Sequence, residues 1–312
     1  MARRVRGVVA ILAALSLVGV PVTAVAGPQP AAATESRADD DGAVFPLSDA
    51  AVREALGAGR EDVSFSVRDR RTGAVYTYNP DMRNATASVV KVLVLATVIR
   101  ERRDTGRDLT SGQKHLAELM IRSSDNDATS TLFNRVGRDA VARMAADLGM
   151  TRTEVSWSWG KTSTSAADQR LLMDRLVDGT EHLGAADRRY ILGLMAEVDP
   201  QQRWGVGDVP AESGVSVKNG WVPLSPGGWR VNSIGSVKAA GRDYTLSILS
   251  TGTETMDAGT ERARIVSELV WETLDPMTGR VGAAAQDAPG GPVANLPRWI
   301  SRGAAFPPRP WG

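Results

Sequence analysis

The 312-residue sequence is 42% hydrophobic and 23% charged, a balance that suits a folded protein and excludes a long disordered chain. It has no cysteine, which removes disulfides, thiolate metal sites and a cysteine nucleophile, and only two histidines, which leaves little for histidine-based metal binding. The formal charge is +1, and Arg3, Arg4 and Arg6 lie in a first stretch that carries no acid; the remainder is slightly acidic and lacks the basic character of a nucleic-acid binder.

In chain order, residues 1–26 read as an export signal. The three arginines are followed by an apolar run broken by Gly19 and Pro21, and Ala24-Val25-Ala26 has the small-x-small form of a cleavage site, with the cut after Ala26. Pro21 and the small residues favour cleavage over spanning, and no later segment is long and apolar enough to cross a bilayer. A lipid anchor would need a cysteine at the cut. The expected product is secreted, with no stable membrane anchor after cleavage. Residues 27–43 form a Pro-, Ala- and Asp-rich linker, and residues 277–312 a Pro-rich irregular tail carrying Trp299 and Trp311.

Between them, residues 44–276 read as one folded unit. A short helix spans 48–56, with Ser48 as N-cap. Residues 63–67 alternate apolar and polar as a half-buried strand does, and 74–78 return as the second strand of a hairpin through the turn at 71–73. Helices follow at 89–102, 111–122, 127–136, 138–148, 165–178 and 185–197. Strand character resumes at 215–218, 229–239 and 244–250, and a last helix spans 257–274. The simplest architecture is an antiparallel sheet built from both chain ends, with a helical insertion and a covering C-terminal helix.

Chemistry emerges by elimination. No G-x-S-x-G elbow accompanies His115 or His182, and no phosphate loop, dinucleotide fingerprint or calcium loop is present, so neither a cofactor nor a metal is expected. What remains is a serine whose base is not histidine. Ser88-Val89-Val90-Lys91 opens the most apolar helix, and a spacing of three puts the hydroxyl and the amine on one face. Burial there lowers the lysine pKa and makes it a base, and the helix N-terminus aims free N–H groups at an oxyanion. An N-cap serine with a snorkelling lysine has the same pattern. Ser124-Asp125-Asn126 follows between two helices, where Ser124 or Asp125 would also serve as a cap. Lys218-Asn219-Gly220 ends a strand, where a turn is the plain alternative.

In that order the three motifs resemble the S-x-x-K, S-D-N and K-T-G signature of penicillin-recognising serine enzymes. The chain is similar to class A β-lactamase-related secreted serine hydrolases over most of residues 45–274. The resemblance implies a mixed α/β (α+β) sandwich of the β-lactamase/transpeptidase type, with an all-helical subdomain. It also implies roles. Ser88 is the nucleophile, Lys91 accepts or relays its proton, Ser124 passes a proton to the leaving nitrogen, and Lys218 polarises Ser124 and attracts an anionic group. Asn126 binds the substrate's acylamino arm. The N–H groups of Ser88 and Trp221, the residue after Gly220, form the oxyanion hole. Asn219 and Arg230 meet a substrate carboxylate.

Two departures stand out. Asn219 replaces the family's threonine or serine. The glutamate that activates the deacylating water has no match in the loop 151–165, where the only acid is Glu154 and Trp157 and Trp159 stand instead. These tryptophans either line the cleft with Trp221 or anchor the loop on the core. Glu154 and Asp168 are the acids nearest to hand. The expected activity is acyl-enzyme formation on Ser88 with β-lactams or related amides or esters, followed by slow deacylation. A penicillin-binding cell-wall peptidase and a non-catalytic binding protein are the alternatives. The expected partner is a small-molecule or cell-wall peptide substrate, with no nucleic acid, and the expected state is a monomer.

Overall fold

The computed structural model describes residues 44–276. The expected signal, its cut after Ala26, the linker 27–43 and the tail 277–312 lie outside the described residues. The elements run α1 (Asp49–Leu56), β1 (Val63–Asp69), β2 (Val75–Tyr78), β3 (Asn84–Ala85), α2 (Val90–Asp104), α3 (Ser111–Arg122), α4 (Asn126–Val136), α5 (Arg138–Asp147), β4 (Ser163–Thr164), α6 (Ala166–Asp178), α7 (Ala185–Ala196), β5 (Gly214–Pro223), β6 (Trp229–Ala239), β7 (Arg242–Thr253) and α8 (Met256–Thr273). Among the described residues no helix is long and apolar enough to cross a membrane.

The main sheet has five antiparallel strands in the order β2-β1-β7-β6-β5. Its first two strands come from the start of the domain and its last three from the end, as the sequence pattern implies. Alternation along the strands sorts the side chains. Val63, Phe65 and Val67 of β1 and Tyr244, Leu246 and Ile248 of β7 join one apolar cluster with Val52 and Leu56 of α1 and Val266 and Val270 of α8. That burial drives α1 and α8 onto the sheet.

The opposite face departs from the expectation of a half-buried strand. Ser64, Ser66, Thr245 and Ser247 alternate with the apolar set yet are fully buried. Their hydroxyls are matched by α6 and β2: Ser247 Oγ donates to the Ala166 carbonyl, Thr245 Oγ1 to Asp174, and Ser64 Oγ to the Tyr78 carbonyl, while Arg170 Nε donates to Ser66 Oγ. Polar alternation here marks a hydrogen-bonded seam, because a buried hydroxyl is tolerated once it is paired.

The second core is helical and centres on α2, in which every residue from Val90 to Ile99 is buried. Met120, Ile121, Leu132, Phe133, Met144, Leu172 and Ile191 surround it, and Ile234 of β6 joins them from the sheet. The helix starts follow ordinary capping chemistry. Thr110 and Gln113 form a capping box on α3, and Asp125, Ser165 and Thr255 accept from the first turns of α4, α6 and α8.

Two features next to the site differ from the sequence reading. The strand expected at 215–218 continues to Pro223, because it pairs with β6 along its whole length, Lys218 with Ile234, Gly220 with Asn232 and Pro223 with Trp229. Gly220 is therefore mid-strand rather than a turn. The two-residue strands β3 and β4 pair with each other and are too short to show a period.

One side-chain exchange pins the segment before α2 to the sheet. Asn84 Nδ2 donates to Asn232 Oδ1 and to the Ser250 carbonyl, both at 2.9 Å. Asn232 Nδ2 donates to the carbonyls of Ala85 at 2.8 Å and Thr86 at 3.0 Å. Both residues are buried, so Asn84→Ala leaves partners without a donor and should cost about 1–3 kcal/mol in stability. Urea unfolding of the two proteins measures it; a loss below a few tenths would mean that the exchange does not hold the segment.

Candidate active site

The pinned segment leads into a single 3-10 turn, Ala87–Val89, and then into α2. Ala87 has φ of 47°, a left-handed conformation that costs a non-glycine residue energy and persists only where the surroundings enforce it. Ser88 is partly exposed, between buried Ala87 and Val89. Strand β5 lies directly against this turn. A Cβ on Gly220 would sit 2.5 Å from Ser88 N, 2.8 Å from Val89 N and 2.9 Å from the Thr86 carbonyl oxygen, so only glycine fits. The main chains of Ser88 and of Gly220-Trp221 thus run side by side.

Lys91 is one turn further along α2 and fully buried. Its Nζ lies 2.6 Å from the Ser124 carbonyl, 3.1 Å from Ser124 Oγ and 2.8 Å from Asn126 Oδ1. Among the described residues the Ser88 hydroxyl has no hydrogen-bond partner. The Ser124-Asp125-Asn126 stretch is the link between α3 and α4. Ser124 takes φ of 57° to reverse the chain, Asp125 caps α4 through the Ala128 N–H at 2.6 Å, and Asn126 begins that helix. Asn126 is exposed and its oxygen is taken by Lys91, so its Nδ2 hydrogens remain for a ligand carbonyl.

Lys218, mid-strand in β5, approaches from the other side. Its Nζ is 3.0 Å from Ser124 Oγ and 3.0 Å from the Asn219 carbonyl, and the side chain is fully buried. One hydroxyl is therefore shared by two buried amines. Burial pushes Lys91 down to about 7, against the smaller upward pull of Asp125. Burial, reinforced by Lys91, pushes Lys218 well below the ordinary lysine value. Two amines so placed cannot both carry charge at low cost, and a neutral amine beside a serine is a proton acceptor.

The remaining site residues are distributed as alternation dictates. Lys218 and Gly220 share the face of β5 that Ile234 and Asn232 share on β6; Arg230 is on that same face, and its Nη1 donates to the Gly227 carbonyl. Asn219 and Trp221 point to the opposite face. The expectation that Asn219 meets a substrate carboxylate is corrected by this. The Asn219 side chain is buried, and its Nδ2 donates to the carbonyls of Gln202 at 2.7 Å and Trp204 at 3.0 Å. The Trp221 ring lies against Trp204, at 6.1 Å between centroids, so only its main chain reaches the site face.

Glu154 and Asp168 are both engaged elsewhere. Glu154 bridges to Ser163 by its main chain, and its largely exposed carboxylate pairs with Arg83 at 3.1 Å. Asp168 is buried and accepts from the Arg152 N–H at 2.8 Å and Thr153 Oγ1 at 2.7 Å, tying down the loop. The loop presents Trp159 instead, with its ring centroid 5.0 Å from Lys91 Nζ. Trp157 is 78% exposed and carries Arg138 over its ring at 5.3 Å. Among the described residues no cluster of acids and histidines is arranged to hold a metal.

Sequence reasoning missed the strap at 199–207. Asp199 N donates to the Arg122 carbonyl and Gln202 Nε2 to the Ser123 carbonyl at 2.9 Å, bracing the turn that carries Ser124. It has no periodic signal.

The lysine burial has a sign that can be checked. An unfolded lysine keeps its proton to about pH 10.4. Folded Lys91 releases its proton near pH 7, so between these values the unfolded state binds more protons and stability rises with pH. Below pH 7 the contribution is at its least favourable. Relative to Lys91→Met, the native chain should gain up to about 1.4 kcal/mol per pH unit between pH 7 and 10, measured by urea unfolding. Parallel pH profiles would show that the buried amine does not titrate in this window.

The described fold matches solved class A β-lactamases. One from Bacteroides cellulosilyticus aligns at a TM-score of 0.63 with 19% identity, over 72% of this chain and 95% of that one. The TLA-1 extended-spectrum enzyme aligns at 0.65 with 14% identity, over 72% and 97%. A β-lactamase from Sphaerobacter thermophilus aligns at 0.62 with 21% identity, over 72% and 95%. The protein named "Putative lipoprotein LppW" in Mycobacterium tuberculosis is 28% identical over 236 residues, 73% of this chain and 72% of its own. Residues 104–274, more than half of the chain, match the model of the beta-lactamase enzyme family, and the chain belongs to that family.

Proposed function

We propose that the protein is an exported serine acyl hydrolase that forms an acyl-enzyme on Ser88 with β-lactams or related amides and esters, and releases it slowly. The observation that carries this reading is the Ser124 hydroxyl held between two buried amines, 3.1 Å from Lys91 Nζ and 3.0 Å from Lys218 Nζ. A non-catalytic binding cleft has no use for such a relay.

In this mechanism neutral Lys91 takes the Ser88 proton as Oγ bonds to the substrate carbonyl carbon. The oxyanion lies between the N–H groups of Ser88 and Trp221. The tetrahedral centre collapses as Ser124 hands its proton to the departing nitrogen and recovers one through the lysine pair. Asn126 Nδ2 meets the acylamino carbonyl, and Arg230 is the cation available to an anionic substituent. Deacylation is slow because Glu154 is committed to Arg83 and Asp168 to the Arg152 and Thr153 donors, which leaves no loop carboxylate to activate water. Export is supported by the basic and apolar N-terminal stretch and by the lipoprotein name of the mycobacterial relative; without a cysteine this sequence has no thiol to lipidate.

Intact-protein mass spectrometry after exposure to a penicillin tests the reading. A Ser88-dependent adduct should form and persist for minutes, because a missing positioned base costs about 100- to 10,000-fold in rate. Ser88→Ala should abolish the adduct, and Ser124→Ala should slow its formation by about the same range. An adduct of equal yield in Ser88→Ala, or turnover at many per second, would refute the proposal.

A further inference from the structure

Trp159 begins a 3-10 turn, Trp159–Lys161, and is held on three sides. Its Nε1 donates to Ser130 Oγ of α4 at 3.2 Å. Its carbonyl accepts from Thr86 Oγ1 at 3.5 Å, two residues before Ser88. The next residue, Gly160, packs beside Ala87, where an added Cβ would lie 3.9 Å from the Ala87 Cα. The ring so fixed stands 5.0 Å from Lys91 Nζ, and that amine has no exposed surface.

We propose that Trp159 is a positioning residue that keeps water away from Lys91, so that an acyl group on the partly exposed Ser88 is retained. The proposal rests on the acyl-enzyme reading above and adds to the missing loop carboxylate a second cause of the slow step. Hydrolysis of a Ser88 ester needs a water oxygen to bond to the carbonyl carbon and a base to take the water proton. A proton must then return to Oγ as the C–Oγ bond breaks. Lys91 can supply the base, but the water must lie between it and the ester. An indole face 5.0 Å from Nζ takes no proton and occupies space beside the amine that such a water would need. Its Nε1 hydrogen is directed away, to Ser130.

The test uses Trp159→Ala and Trp159→Phe in the full chain, with two readouts. Carbamylation of Lys91 by cyanate, read by peptide mass mapping, reports the seal without any acyl-enzyme. The lifetime of the penicillin adduct, divided by its formation time, reports retention. Trp159→Ala should label at Lys91 at least tenfold faster and shorten the relative lifetime at least tenfold. Trp159→Phe, which keeps a ring but loses the Ser130 donor, should stay within about threefold of the native chain on both. Unchanged labelling in Trp159→Ala would overturn the seal. Unchanged relative lifetime, or equal shortening in Trp159→Phe, would overturn retention by the ring. If the native chain forms no Ser88-dependent adduct, the acyl-enzyme reading and the retention role fall together, and the Lys91 labelling still decides whether the indole covers the amine.

Discussion

The architecture turns on the contact between a strand and a turn. Strand β5 passes so close to the Ala87–Val89 turn that its residue 220 has no room for a side chain, and the Asn84–Asn232 exchange keeps the turn against the sheet. That contact joins the two cores. On one side lies the apolar bundle around α2; on the other lies the five-stranded sheet with its buried hydroxyls. The left-handed Ala87 is tolerated because hydrogen bonds and packing on both sides leave the chain no cheaper path.

The same junction explains how two lysines come to be buried without carboxylate partners. The α2 bundle removes water from Lys91, and the centre of β5 removes it from Lys218. What they receive in return is neutral: carbonyl oxygens, an amide oxygen and one hydroxyl. Burying a charge on such terms is expensive, whereas burying an amine is not. The energetic cost of dehydrating the Lys91 amine thereby leaves it able to give up its proton at about pH 7 and act as a free base.

Much of this was legible in the amino-acid pattern. The spacings of Ser88 with Lys91 and of Ser124 with Asn126 survive into three dimensions because each lies within one helical turn or one tight link, where sequence distance sets spatial distance. The strand and helix order was legible for the same reason, through periods of two and of three to four residues. Asn219 was misjudged because its facing depends on how far β5 continues, and pairing with β6 extends the strand beyond the stretch that looks strand-like. The hydroxyls of Ser64, Ser66, Thr245 and Ser247 look solvent-facing by composition, and only the helix that covers them reveals otherwise. Trp159 could be assigned to the core or to the cleft; its Ser130 and Lys91 neighbours, distant in sequence, place it between the two.

The composition of the sheet from both ends of the domain bears on how the protein comes into being. Val63 finds Ser250 as its partner, and the helical region lies between them. During synthesis the helices around α2 are present while the β1–β2 hairpin still waits for β7 on its open edge. Closing so long a loop is slow relative to local helix formation. The Ser88 turn, which leans on β5 and β6, can reach its final shape only once those strands are present. The nucleophile's turn thus gains its support late, and a chain cut short before β5 would carry every residue of the first two motifs with neither β5 nor β6 to hold the Ser88 turn.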